Sequence, residues 1–131
     1  MELLLEWQLS IYWLQKFNNS TMKVDKKGHT ILIKDTQGNG LAFLEKVTFQ
    51  HESYKHQNLI LDLTHDKSIT IDSIKSFSNL SKLHKKGKKS FVIVADNIDF
   101  NSVPKSIIVV PSVLEAHDVI ELEEIERDLG F

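Results

Sequence analysis

The chain has 131 residues and a mass of 15.1 kDa, a size that suits one domain. With 41% hydrophobic and 26% charged residues, its composition is that of a globular protein and argues against a disordered chain. A net charge of −2 excludes strong general binding of nucleic acids, because that affinity comes mainly from neutralising phosphates. The absence of cysteine excludes disulfides, cysteine-ligated metal centres and thiol catalysis.

The first 21 residues differ in pattern from the rest of the chain. Their leucines and aromatic residues, with both tryptophans (Trp7 and Trp13), favour an amphipathic helix over residues 3–17. Acidic residues stand where a secretory signal carries positive charge, and the apolar stretch falls short of the roughly 20 residues of a membrane span. We therefore predict a cytoplasmic protein with its domain at residues 22–131. Residues 1–21 are either an extension outside the native domain or a helix that docks on it.

Strand and helix patterns alternate along the remaining residues. Short β-branched and apolar runs predict four strands, and apolar residues at helical spacing predict three helices. In this order, parallel strands are joined by crossover helices, and the predicted class is α/β. The predicted strands are residues 29–34, 58–63, 91–95 and 107–110, and the predicted helices are residues 41–54, 74–86 and 113–129.

Several residues mark the predicted ends of these elements. Ser112 and Glu115 have the spacing of a capping box that opens the last helix. Asp72 is the predicted N-cap of the second helix, and Gly87 suits the left-handed position after it. β-Branched residues after Asp118 are weak helix formers and predict a break in the last helix.

The second predicted strand ends in Asp62-Leu63-Thr64, and the loop after it leads to Asp72-Ser73 at the start of a helix. A basic helix end, another buried strand and a capped terminal helix then follow. In this order of elements, from about residue 23 to residue 129, the chain resembles the STAS domain of anti-sigma-factor antagonists and sulfate-transporter tails. The resemblance implies a STAS-like mixed sheet of four to five strands with three to four helices packed on it.

This resemblance also implies a function. It implies a bacterial regulatory module in the cytoplasm, which binds another protein, catalyses no reaction and needs no cofactor or metal. Asp62, Thr64, Asp72 and Ser73 are the implied interaction residues, with Ser73 as the candidate phosphorylation site. Residues 72–75 are Asp-Ser-Ile-Lys, where the family has Asp-Ser-Ser-Gly. The missing serine and glycine weaken the case for phosphorylation more than the case for the fold.

The six histidines raise a different interpretation, a small metal-dependent hydrolase or accessory protein. Thr64-His65-Asp66 partly resembles the strand end of metallo-β-lactamase-fold nucleases such as ribonuclease Z, which have Thr-His-x-His-x-Asp-His there. Only His65 and Asp66 of that ligand set are present, so we expect no catalytic metal site. The alternative, using these two residues with Asp62, stays open, as does a ligand-binding module at the crevice beyond the strand ends.

Two charged runs bear on the partners. A lysine run at residues 82–89 and an acidic run at residues 115–128 each favour a solvated helix surface. Together they predict complementary faces for a homodimer, and an exposed edge strand at residues 31–33 offers a second route to one. We expect no specific nucleic-acid partner, because no aromatic residues lie between the lysines.

Overall fold

The computed structural model describes residues 22–130, and the predicted helix at residues 3–17 lies outside them. Five strands form one sheet in the order β1-β2-β3-β4-β5, with β1 antiparallel to β2 and each later pair of neighbours parallel. Helices follow β2, β3 and β5, which confirms the predicted α/β class with a mixed sheet. The strands are β1 (Met22–Lys27), β2 (Thr30–Asp35), β3 (Asn58–Asp62), β4 (Phe91–Val94) and β5 (Ile108–Val110).

All three predicted helices are present, although two of them are divided. The predicted helix 41–54 is interrupted at Gln50, and the predicted helix 74–86 starts earlier and is interrupted at residues 76–77. The last helix is continuous, so the predicted break near Asp118 is wrong. Packing against the sheet outweighs the weak local propensity there. The helices are α1 (Gly40–Phe49), α2 (His51–Tyr54), α3 (Ile71–Lys75), α4 (Ser78–Lys86) and α5 (Val113–Asp128), with a short 3-10 helix at Phe100–Ser102.

Strand β1 lies outside the sequence prediction because it lacks an alternating apolar pattern. Only its first residue, Met22, is buried. Gly28, at φ +60°, permits the tight turn that folds β1 back onto β2. Since β1 pairs along the whole of β2, the predicted exposed edge at residues 31–33 is wrong. In the described part of the chain, β1 and β5 form the two edges of the sheet.

The two faces of the sheet are covered differently. On one face, Leu59 and Leu61 of β3 belong to a large apolar cluster to which α1, α3 and α4 contribute. On the other face, Ile60 packs in a smaller cluster with Ala116 and Ile120 of α5. Within residues 22–130, α5 is the helix that contributes to this second cluster. In this part of the chain, a single helix therefore covers the second face.

Of the two predicted N-cap residues, one is confirmed and the other is wrong. Ser112 caps α5 as predicted, since its Oγ accepts a hydrogen bond from the Glu115 N–H at 3.2 Å. Helix α3 is capped by Thr70 rather than by Asp72, because the Thr70 Oγ1 accepts from the Ser73 N–H at 3.2 Å. Asp72 instead lies exposed in the first turn of α3, where a negative charge is favourable.

The left-handed residue after α4 is Lys88, at φ +61°, and the prediction of Gly87 is wrong. Gly87 has φ −81°, and its N–H donates to the His84 carbonyl at 3.2 Å. The turn is closed one residue later, where the Lys88 N–H donates to the Lys85 carbonyl at 2.9 Å. A left-handed lysine costs about 1 kcal/mol, so the connection to β4 holds Lys88 in a strained conformation.

Because α5 carries the packing of the second face, we expect Ile120→Ala to lower the free energy of unfolding by about 2–4 kcal/mol. Ile120 is 3% exposed, and its removal leaves a cavity against Ile60 and Val92. Leu122→Ala is the matched control, since Leu122 lies on the same helix and is 57% exposed. Urea unfolding of both variants measures the difference. Equal losses would contradict the assignment of Ile120 as a core residue.

Candidate functional site

The carboxyl end of β3 carries the first of the predicted site residues. Asp62 is buried, and its Oδ1 accepts hydrogen bonds from the N–H of Thr64 at 3.0 Å and from the Thr64 hydroxyl at 2.7 Å. The two predicted residues are thus brought together in one turn. Asp62 Oδ1 thus stabilises the turn through which the chain leaves the sheet.

Asp66, four residues further on, ties two loops together. Its Oδ1 accepts from the N–H and the hydroxyl of Ser68, at 3.0 and 2.9 Å. Its Oδ2 accepts from the N–H of Gly40, in the first turn of α1, at 3.0 Å. A Cβ at position 40 would lie 3.3 Å from this oxygen, so glycine permits the close approach. Because 26 residues separate the two partners, no local pattern could have indicated this tether.

The remaining predicted residues lie in the first turn of α3. Ser73 is half-buried, and its Oγ lies 3.1 Å from the Thr70 Oγ1. Asp72 beside it is exposed. Asp62 is the last residue of β3, and Thr64, Asp72 and Ser73 follow it along the chain, so all four predicted residues lie at or after the carboxyl end of the same strand. Loops at this edge are where α/β sheets usually bind their ligands.

His65 and Asp66, the residues of the hydrolase alternative, have different surroundings. His65 is exposed to solvent, whereas Asp66 is buried and both of its carboxylate oxygens accept hydrogen bonds. Within residues 22–130, no group of three histidine, aspartate or glutamate side chains is arranged to hold a metal ion.

A pair of buried histidines, not predicted from the sequence, joins α2 to α4. His51 Nε2 lies 2.9 Å from His84 Nδ1, and His84 Nε2 lies 2.7 Å from the Gln57 carbonyl oxygen. A carbonyl only accepts, so His84 Nε2 carries the hydrogen and His84 Nδ1 accepts from His51 when both rings are neutral. The pKa of His84 is lowered to about 4, chiefly by burial and also by the nearby His51 and Lys89, against the opposing effect of the hydrogen bond to the Gln57 carbonyl. Burial also lowers the pKa of His51.

The chain was compared with known proteins. Neither a protein-family model nor a curated protein matches it. In the part of the chain from residue 22 to residue 130, no helix combines the length and the apolar character that crossing a membrane requires.

We expect Asp66→Ala to lower the free energy of unfolding by about 1–3 kcal/mol, because it leaves the buried Gly40 N–H without its acceptor. Asp72→Ala is the control, since Asp72 is exposed and does not cap the helix; its effect should stay within about 0.5 kcal/mol. Denaturant unfolding at neutral pH compares the two. A larger loss in Asp72→Ala would show that the tether is unimportant.

We also expect stability to fall as the pH decreases from about 6.5 to about 4. The pKa of His84 is lower in the folded chain than its ordinary value of 6.5, so within this window the unfolded chain binds a proton that the folded chain does not. A shift of this size corresponds to at most about 3 kcal/mol, fully present above pH 6.5. His84→Gln should flatten the pH dependence of unfolding, whereas His56→Gln, an exposed histidine, should not. Parallel slopes for both variants would contradict this account.

Proposed function

We propose that the chain is a non-catalytic, STAS-like regulatory module that binds another protein through the carboxyl edge of its sheet. The supporting observation is the network of hydrogen bonds at this edge. Asp62 is bonded to Thr64, Asp66 to Ser68 and Gly40, and Thr70 to Ser73.

These bonds argue for binding rather than for catalysis. A catalytic carboxylate must be available to a substrate proton or atom, whereas Asp66 uses both oxygens, and Asp62 one, to hold loop backbone. The loops are thereby held in one conformation, which lowers the entropic cost of docking a partner. The five-stranded mixed sheet with helices packed on it agrees with the sheet that the resemblance implies.

Ser73 is the residue through which we propose regulation. It lies in the first turn of α3, beside exposed Asp72 and close to Thr70. A phosphate there would add about two negative charges to the docking surface, which strengthens or weakens binding according to the charge of the partner. The cap of α3 would remain, since it is the Ser73 backbone N–H that donates to Thr70 Oγ1 in the cap, and phosphorylation leaves this N–H in place.

We expect Ser73→Ala to change the free energy of unfolding by no more than about 0.5–1 kcal/mol, because Thr70 keeps the cap. Ser73→Asp should be equally stable, since an anion is favourable in the first turn of a helix. Affinity for the partner should differ between these two variants. Thr48→Asp adds the same charge at an exposed position near the other end of α1 and should leave affinity unchanged.

The measurement uses the full chain, crosslinked in its native host to identify the bound protein, followed by calorimetry with that purified partner. Equal affinity of the Ser73→Ala and Ser73→Asp variants would contradict the regulatory role of Ser73. Binding of zinc or manganese by the full chain, lost in His65→Ala, would contradict a purely interaction-based function and favour the hydrolase.

A further inference from the structure

A cavity of about 530 Å³ lies at the amino-terminal ends of the parallel strands, opposite the carboxyl ends considered above. It lies between the end of α4 and the last turns of α5. The lysine run and the acidic helix therefore meet within one chain, whereas the sequence predicts that they pair between two chains. The cavity is lined by Lys85, Lys88, Lys89, Glu123, Arg127 and Gly130.

Two of the cationic side chains are held in place by hydrogen bonds. The Arg127 guanidinium donates to the Ser90 hydroxyl at 3.1 Å and to the Asn58 Oδ1 at 3.4 Å, and both acceptor residues are buried. Lys85 Nζ donates to the Ser106 carbonyl at 2.9 Å. These two long side chains are therefore largely ordered before any ligand arrives, which lowers the entropic cost of binding.

The described side chains that line the cavity carry a net positive charge. From residues 22–130 the lining has four cationic side chains and one carboxylate, Glu123. Among the described residues, none of the four cations has a carboxylate oxygen within 4.0 Å. Glu123 Oε1 is itself buried without a hydrogen-bond partner in that part of the chain. The negative end of the α4 dipole offsets only part of this positive charge.

We propose that this cavity binds a small anion with two or more phosphate groups. Arginine and lysine are the side chains that recognise phosphate, and the volume of the cavity lies within the range of small-molecule sites. An adjoining hollow of about 300 Å³ shares Lys89 and Arg127 with the cavity and is also lined by Glu124 and Asp128. These carboxylates would repel a longer polyanion that continued along the surface, so the geometry favours a compact ligand over a nucleic-acid strand.

The test is titration calorimetry of the full chain with inorganic pyrophosphate at low ionic strength. Lys88→Ala should weaken binding about fivefold, the effect of one charge pair in a largely solvated site. Glu123→Gln should strengthen binding about threefold, because it removes the carboxylate that the described residues contribute to the lining. Lys75→Ala, at an exposed position on α3, is the control and should bind like the native chain. Circular dichroism confirms that each variant is folded.

The gain in Glu123→Gln separates a binding site from a structural role, since damage to the fold does not increase affinity. Failure of the native chain to bind pyrophosphate would overturn the proposal. Equal weakening by Lys75→Ala and Lys88→Ala would also overturn it, because it would show diffuse attraction to surface lysines. Tighter binding of a single-stranded oligonucleotide than of pyrophosphate would overturn the choice of a compact ligand.

Discussion

Strand β3 is buried along its whole length, from Asn58 to Asp62, with a neighbouring strand on each side and apolar clusters on both faces. Its three central residues are apolar, so packing alone makes their burial favourable. Its two ends are polar, and a buried polar side chain must find hydrogen-bond partners. At one end Asp62 bonds to Thr64, and at the other Asn58 accepts from the Ser90 N–H at 2.9 Å and contacts Glu124 and Arg127.

Both surfaces proposed to have a function follow from these two ends. After the Asp62 turn, the chain enters the loop that leads to α3. Asp66 in this loop bonds to Gly40 and so joins the loop to the start of α1. The Asn58 network positions Arg127 at the opposite edge, where the lysines after α4 gather. The two surfaces share a strand but no side chains, so a substitution at one edge leaves the chemistry of the other intact. A protein-binding edge and an anion-binding edge are therefore compatible within one small domain.

The inner part of the fold is predictable from the sequence, because β3 and β4 are continuous apolar runs bounded by polar residues. Strand β1 is not predictable, because its lysines and aspartate have low strand propensity and it forms only by pairing with β2. The start of α3 is misplaced by the sequence, since Thr70 and Asp72 are both good caps and local pattern alone does not choose between them.

The contacts at the candidate sites are likewise predictable from the sequence in one part and not in the other. Asp62 and Thr64 are two residues apart, so their turn is visible as a local motif. The contacts between Asp66 and Gly40, His51 and His84, and Arg127 and Ser90 span 26, 33 and 37 residues. Such contacts are set by how helices pack on the sheet, and no window of neighbouring residues contains them.

The unequal covering of the two faces has a consequence during synthesis on the ribosome. The five strands of residues 22–130 and the helices of the first face precede α5 in the chain, so Ile60, Val92 and Val94 are made before the helix that covers them. An emerging chain at this stage presents an apolar surface and an unpaired edge at β5, the features that bring nascent proteins to chaperones.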